Sequence, residues 1–137
     1  MPHISSKKIS QEMSNRIMHR LYGTFVSLTT VSRAADFTTD FFSQTERLMF
    51  AKRLTAVFMI SEGVSSYRIS KILSMSHSSI LRLERIIDRG GFASLVVTMQ
   101  KPKVREMFWD DIERLARLGL PRRGSGKERW DWLRKYH

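Results

Sequence analysis

The segment from Ser65 to Asp88, SSYRISKILSMSHSSILRLERIID, constrains this chain more than any other. Ile69, Ile72 and Leu73 recur at helical spacing, and then the pattern stops. It resumes on a second helical row with Ile80, Leu83 and Ile87. Only Ser74-Met75 lies between the rows before Ser76, which leaves room for a tight turn and nothing else. Ser76 is a good N-cap, because its hydroxyl can accept one of the backbone N–H groups that a helix start leaves unpaired. Ser70 is small where two helices joined this tightly must approach, and Met75 supplies an apolar plug. The spacing predicts a helix-turn-helix, with Ser74 standing where glycine is common.

Such a pair presents the first turns of its second helix outward. Here those turns carry His77, Ser78, Ser79 and Arg82. A helix presented this way can enter the major groove of DNA. Arg82 can then pair in bidentate fashion with guanine, and hydroxyls and imidazole can meet several base edges. Tyr67, Arg68, Ser76 and Arg85 lie where phosphate contacts are expected.

The rest of the chain also reads as helix. Ser10 opens a pattern with Met13, Ile17, Leu21, Phe25 and Leu28 at steps of three and four, flanked by Met18, Tyr22 and Val26. That face is too wide for an isolated surface helix. Asp36 to Phe42 reads as a short apolar helix or turn. Ser43-Gln44-Thr45-Glu46 fits a capping box, in which the hydroxyl and the carboxylate satisfy each other's backbone N–H groups. The helix it opens should run to about Ser61, with Leu48, Ala51, Leu54, Thr55 and Phe58 inside and Gly63 ending it. Phe92 to Met99 reads as a short helix, although Val96 and Val97 leave a strand open. Pro102 suits the first turn of a last helix carrying Val104, Met107, Phe108, Ile112, Leu115 and Leu118. Three prolines and seven glycines are few for an all-β chain, and the fold class is all-α.

Charge narrows the partner. The 137 residues hold 24 Lys plus Arg against 13 Asp plus Glu, a formal net charge of +11. An ordinary small domain carries a net charge of roughly 2–8 in magnitude. The excess is not uniform. Residues 1–35 carry +4, 36–63 carry −1, 64–89 carry +3, 90–120 carry +1 and 121–137 carry +4. Basic charge gathered in three segments, one of them the helix-turn-helix, implies a polyanion such as double-stranded DNA. The last segment, with Arg122, Arg123, Lys127 and Arg129, adds expected phosphate contacts, and Trp130 and Trp132 interleave with its charges.

Other classes have little support. There is no cysteine, so disulfides, thiolate metal sites and cysteine nucleophiles are excluded. His3, His19, His77 and His137 lack zinc-ligand spacing. Asp110, Asp111 and Glu113 have no convergent partner and read as a solvated face. No nucleophile elbow or phosphate-cradling glycine loop occurs. The expectation is therefore no enzyme and no metal. No apolar stretch is long enough to span a membrane, and the expected location is the cytoplasm, at the nucleoid.

Residues 11–88 resemble the tryptophan repressor family. The resemblance rests on Phe42-Ser43-Gln44-Thr45-Glu46-Arg47, Ala51-Lys52-Arg53, Glu62-Gly63-Val64-Ser65 and Ser79-Ile80-Leu81-Arg82, with helices in the same order. It implies an intertwined homodimer whose long N-terminal helices interlock and whose two recognition helices sit about one DNA turn apart. It also implies a small-molecule pocket at Ser43, Arg53 and Arg82. The family has a small residue after the second arginine, where this chain has Leu83. A leucine there is expected to fill the pocket, so neither tryptophan nor another cofactor is expected.

The expected organisation is a disordered 1–9, a helix-turn-helix domain over 10–89, a helical extension over 90–120 and a basic aromatic tail over 121–137. The expected function is a dimeric, sequence-specific transcriptional regulator, a repressor by occlusion of a promoter. The alternatives are a non-specific, chromosome-architectural nucleic-acid binder and a protein-binding adaptor.

Overall fold

The computed structural model describes residues 8–119, among which there are seven helices and no strand. The all-α expectation is met. The described residues divide into two compact units, one up to Arg47 and the other from Leu48 on.

The first unit holds α1 (Gln11–Ser27), α2 (Val31–Phe41) and the start of α3 (Gln44–Ser61). The Ser10 hydroxyl caps α1 by accepting from the Met13 N–H. Gly23 does not break this helix. The second helix begins five residues before the expected Asp36, because Thr30 caps it by accepting from the Arg33 N–H. The capping box at α3 forms in both directions. Glu46 N–H donates to Ser43 Oγ at 3.2 Å, and Ser43 N–H donates to Glu46 Oε2 at 2.8 Å. Phe37 stacks on Phe41 at 4.5 Å and meets Phe25 edge-on at 5.6 Å. No residue of α1 or α2 is buried. Met13, Ile17, Tyr22, Phe25 and Val26 of α1 all lie exposed.

The second unit holds the remainder of α3, then α4 (Ser66–Leu73), α5 (His77–Asp88), α6 (Ala93–Met99) and α7 (Pro102–Gly119). Phe58, Met59, Ile69, Ile80, Met99 and Ile112 are fully buried together. Each such side chain contributes about 1.5–3 kcal/mol of transfer free energy. Phe58 stacks on Phe108 at 4.8 Å and meets Trp109 edge-on at 5.4 Å. Helix α4 packs against both α5 and α7, and α6 packs against α7. Residues 93–116 therefore complete the core around α4 and α5.

Two predicted faces need correction. Of the five residues assigned to the inner face of α3, only Phe58 is buried, while Ala56, Val57 and Met59 join it. The last turns of α3 are enclosed on all sides, so no single stripe describes them. On α7 the core side is Phe108, Trp109, Ile112 and Ala116, whereas Met107 and Leu115 are exposed. The stripe is rotated because Trp109 and Ala116 replace Met107 and Leu115 in it. Leu118's side chain lies outside the described residues. Ala93–Met99 resolves as helix rather than strand, with Phe92 outside it as the N-cap.

Candidate nucleic-acid interface

Helix α4 is capped by Ser65, whose hydroxyl accepts from the Arg68 N–H at 3.4 Å. It ends at Ser74, which adopts the left-handed conformation with φ 50°. That turn redirects the chain at once. Two bonds lock it: Met75 N–H donates to the Ser70 carbonyl at 3.3 Å, and Ser70 Oγ donates to the Met75 carbonyl at 2.8 Å. The small residue expected at the helix crossing is thus also a latch. Ser76 then caps α5, its hydroxyl accepting from the Ser79 N–H at 3.3 Å. Ile69 and Leu73 of α4 and Ile80 and Leu83 of α5 are buried, which fixes the rotation of both helices.

With that rotation set, His77, Ser78, Ser79, Arg82 and Arg85 are exposed. Ser78, Arg82, Arg85 and Arg89 follow at steps of four, three and four, so they share one face of the helix. Arg89, the C-cap of α5, continues this basic row and is absent from the residues expected to contact DNA. The row itself is visible in the spacing. The serines form a hydroxyl cluster at the helix start, with Ser76 Oγ 2.7 Å from Ser79 Oγ and 3.3 Å from Ser78 Oγ. Leu81 is half-buried. On α4, Tyr67 is exposed and Lys71 Nζ lies 5.5 Å from its ring centroid, while Arg68 is partly buried. Arg122, Arg123, Lys127 and Arg129 lie outside the described residues.

Beside α5, Arg53 and Arg82 line one pocket of about 390 Å³. Phe50, Leu54, Phe92 and Leu95 give it apolar walls, and Ser79 adds a hydroxyl. Leu83 forms part of the wall, with the pocket open beside it. Phe92 reaches the pocket from a left-handed backbone at φ 60°. Ser43 caps α3 and is not among the lining residues. The walls contributed by Phe50, Phe92 and Leu95 carry no signal in the sequence, because none belongs to a recognisable motif.

The scaffold beneath α4 and α5 is tied at Glu62, where the chain leaves α3. Arg105 of α7 donates Nε and Nη2 to its two carboxylate oxygens at 2.9 and 2.7 Å. That bond, with further donors at Gln100 and Trp109, holds the Glu62 carboxyl below the usual carboxylate range, against the opposing effect of burial. Among the described residues no group of His, Asp or Glu is placed to hold a metal ion, and no helix is long and apolar enough to cross a membrane. Glu113 pairs with Arg117 one turn on. Comparison with family models, with curated proteins and with solved structures finds no match.

Proposed function

We propose that this chain is a sequence-specific DNA-binding regulator that reads the major groove with α5 and acts as a homodimer. One observation carries the reading: a latched turn holds α5 with its hydrophobic side in the core and Ser78, Arg82 and Arg85 together on the free side. A helix start set outward from a rigid core is the geometry that base recognition needs. Exposed basic residues and the free N–H groups of the first turn suit phosphates on either side. The net charge of +11 supports a polyanionic partner whose binding weakens steeply with salt.

The homodimer rests on the first unit. Its α1 leaves Met13, Ile17, Tyr22, Phe25 and Val26 in solvent, and an apolar surface of that extent is ordinarily covered. A second copy is the covering surface that the resemblance to the tryptophan repressor family implies. Repression by promoter occlusion follows from the same reading.

Selection of binding sites from random duplexes at physiological salt tests the proposal. Enrichment of a roughly palindromic motif supports it. Tight binding without enrichment favours the chromosome-architectural alternative, and no binding favours an adaptor.

The pocket shared by Arg53 and Arg82 favours one refinement. An apolar ligand with an anionic group would fit it, and would bear directly on an arginine of α5. Leu83 in the wall argues against tryptophan itself. Thermal shifts across a set of aromatic carboxylates test this.

A further inference from the structure

A second concavity lies among α3, α4 and α7, with a volume of about 470 Å³. Leu48, Ala51, Ile72 and Leu115 make it apolar, and Lys52 and Lys71 line it as well. Leu48 is 56% exposed and Leu115 40%, so a substantial apolar surface stands open there. Ser74, the left-handed residue of the α4–α5 turn, also lines this groove.

We infer that this groove is the docking site of the chain's own segment 120–137, with Trp130 as the inserted residue. Three observations argue for that occupant. The first is reach. Leu115 sits four residues before Gly119, about 6 Å along the helix axis. The ten residues from 120 to 129 can span up to about 35 Å, so the groove lies well within range without full extension. The second is composition. The segment concentrates Trp130, Trp132, Leu133 and Tyr136, large apolar groups that gain from burial. The third is the local placement of charge. Residues 121–137 are basic as a whole, but their two acidic residues, Glu128 and Asp131, bracket Trp130, and the groove presents Lys52 and Lys71. An indole entering the groove brings carboxylates to those lysines. Lysine ammonium groups also favour indole faces.

The consequence couples the segment to the helix-turn-helix. Docking covers the groove beside Ser74 and holds Arg122, Arg123, Lys127 and Arg129 near the α4–α5 turn. The docking itself does not depend on DNA binding; only this consequence rests on the function proposed above.

The test uses the full chain labelled with 5-fluorotryptophan, which reports Trp109, Trp130 and Trp132 as three fluorine resonances. Trp130→Phe and Trp132→Phe assign them. The expected result is a Trp130 resonance displaced from that of free tryptophan and returned to it by Ala51→Arg, which blocks the groove, with Trp109 unmoved as the control for folding. Lys71→Glu should partly release Trp130, and Asp131→Lys added to it should restore the docked position. A Trp130 resonance at the free position in the unmodified chain overturns the proposal. So does a displaced resonance that ignores both groove variants, or one that returns to the free position on dilution, which would assign the groove to a second copy.

Discussion

Arg105 grips Glu62 with two nitrogens, at 2.9 and 2.7 Å, and so binds α7 to the end of α3 just before α4 begins. Glu62's side chain is only 9% exposed, whereas Arg105's is 41%. The pair therefore has one desolvated partner and one screened partner. Arg105→Ala leaves the enclosed carboxylate without its main donor, and the expected loss is about 1.5–3 kcal/mol. Chemical denaturation checks it. Arg105→Lys should recover less than half, because an ammonium cannot supply the two-point geometry.

The same pair sets a pH dependence. Arg105 depresses the Glu62 pKa below its ordinary value of 4.5. A carboxyl depressed in the folded state contributes stability that is fully present above the ordinary value. That contribution is lost as pH falls through the folded pKa. Thermal midpoints should decline below about pH 4.5, and the decline should be shallower in Glu62→Gln.

Ser74 adopts φ 50°, a region costly for residues with a Cβ. Ser74→Gly relieves a left-handed penalty of roughly 1–2 kcal/mol against about 0.5–1 kcal/mol of extra backbone entropy lost by glycine, so stability should rise modestly and DNA affinity stay unchanged, since the turn already has that shape. A drop in stability would show that the Ser74 side chain contributes contacts exceeding the strain.

Gly90 and Gly91 look alike in sequence but differ in what limits them. Gly90 has φ 84° and open space around it, so Gly90→Ala meets only backbone strain. A Cβ on Gly91 would collide with the Ile86 side chain and lie 2.8 Å from the Ile86 carbonyl oxygen. Gly91→Ala should therefore be the more destabilising change, and parallel thermal melts of the two variants decide it.

The capping box at Ser43 and Glu46, the turn at Ser74, the cap at Ser76 and the helix start at Ser10 are legible in the sequence, because they are local chemistry written within four residues of where they act. The packing of α3 and α7 is not legible at that range. Which side of α7 faces inward depends on Phe58 stacking against Phe108 and on Glu62 holding Arg105, partners more than 40 residues apart in the chain. Thr30 is a readable cap that the apolar run of Phe37, Phe41 and Phe42 overshadows. The pocket at Arg53 and Arg82 needs the crossing of α3 and α5, which periodicity alone does not specify.

Ser76 separates folding from binding. Ser76→Ala removes the cap of α5 and should cost about 1 kcal/mol of stability. Ser76→Asp keeps an accepting oxygen and favours the helix dipole, so stability should hold. DNA affinity should nevertheless fall, because a carboxylate would sit where phosphate is expected. Melting curves set beside binding isotherms check the separation.

The most direct test of the central claim is a paired titration at physiological salt, with a selected duplex and a scrambled one, for the unmodified chain and for Arg82→Ala. The reading of α5 as a recognition helix predicts that the unmodified chain prefers the selected duplex by at least ~1,000-fold. It predicts that Arg82→Ala loses about 1–3 kcal/mol on that duplex and little on the scrambled one. Equal losses on both duplexes, or no preference in the unmodified chain, would contradict it.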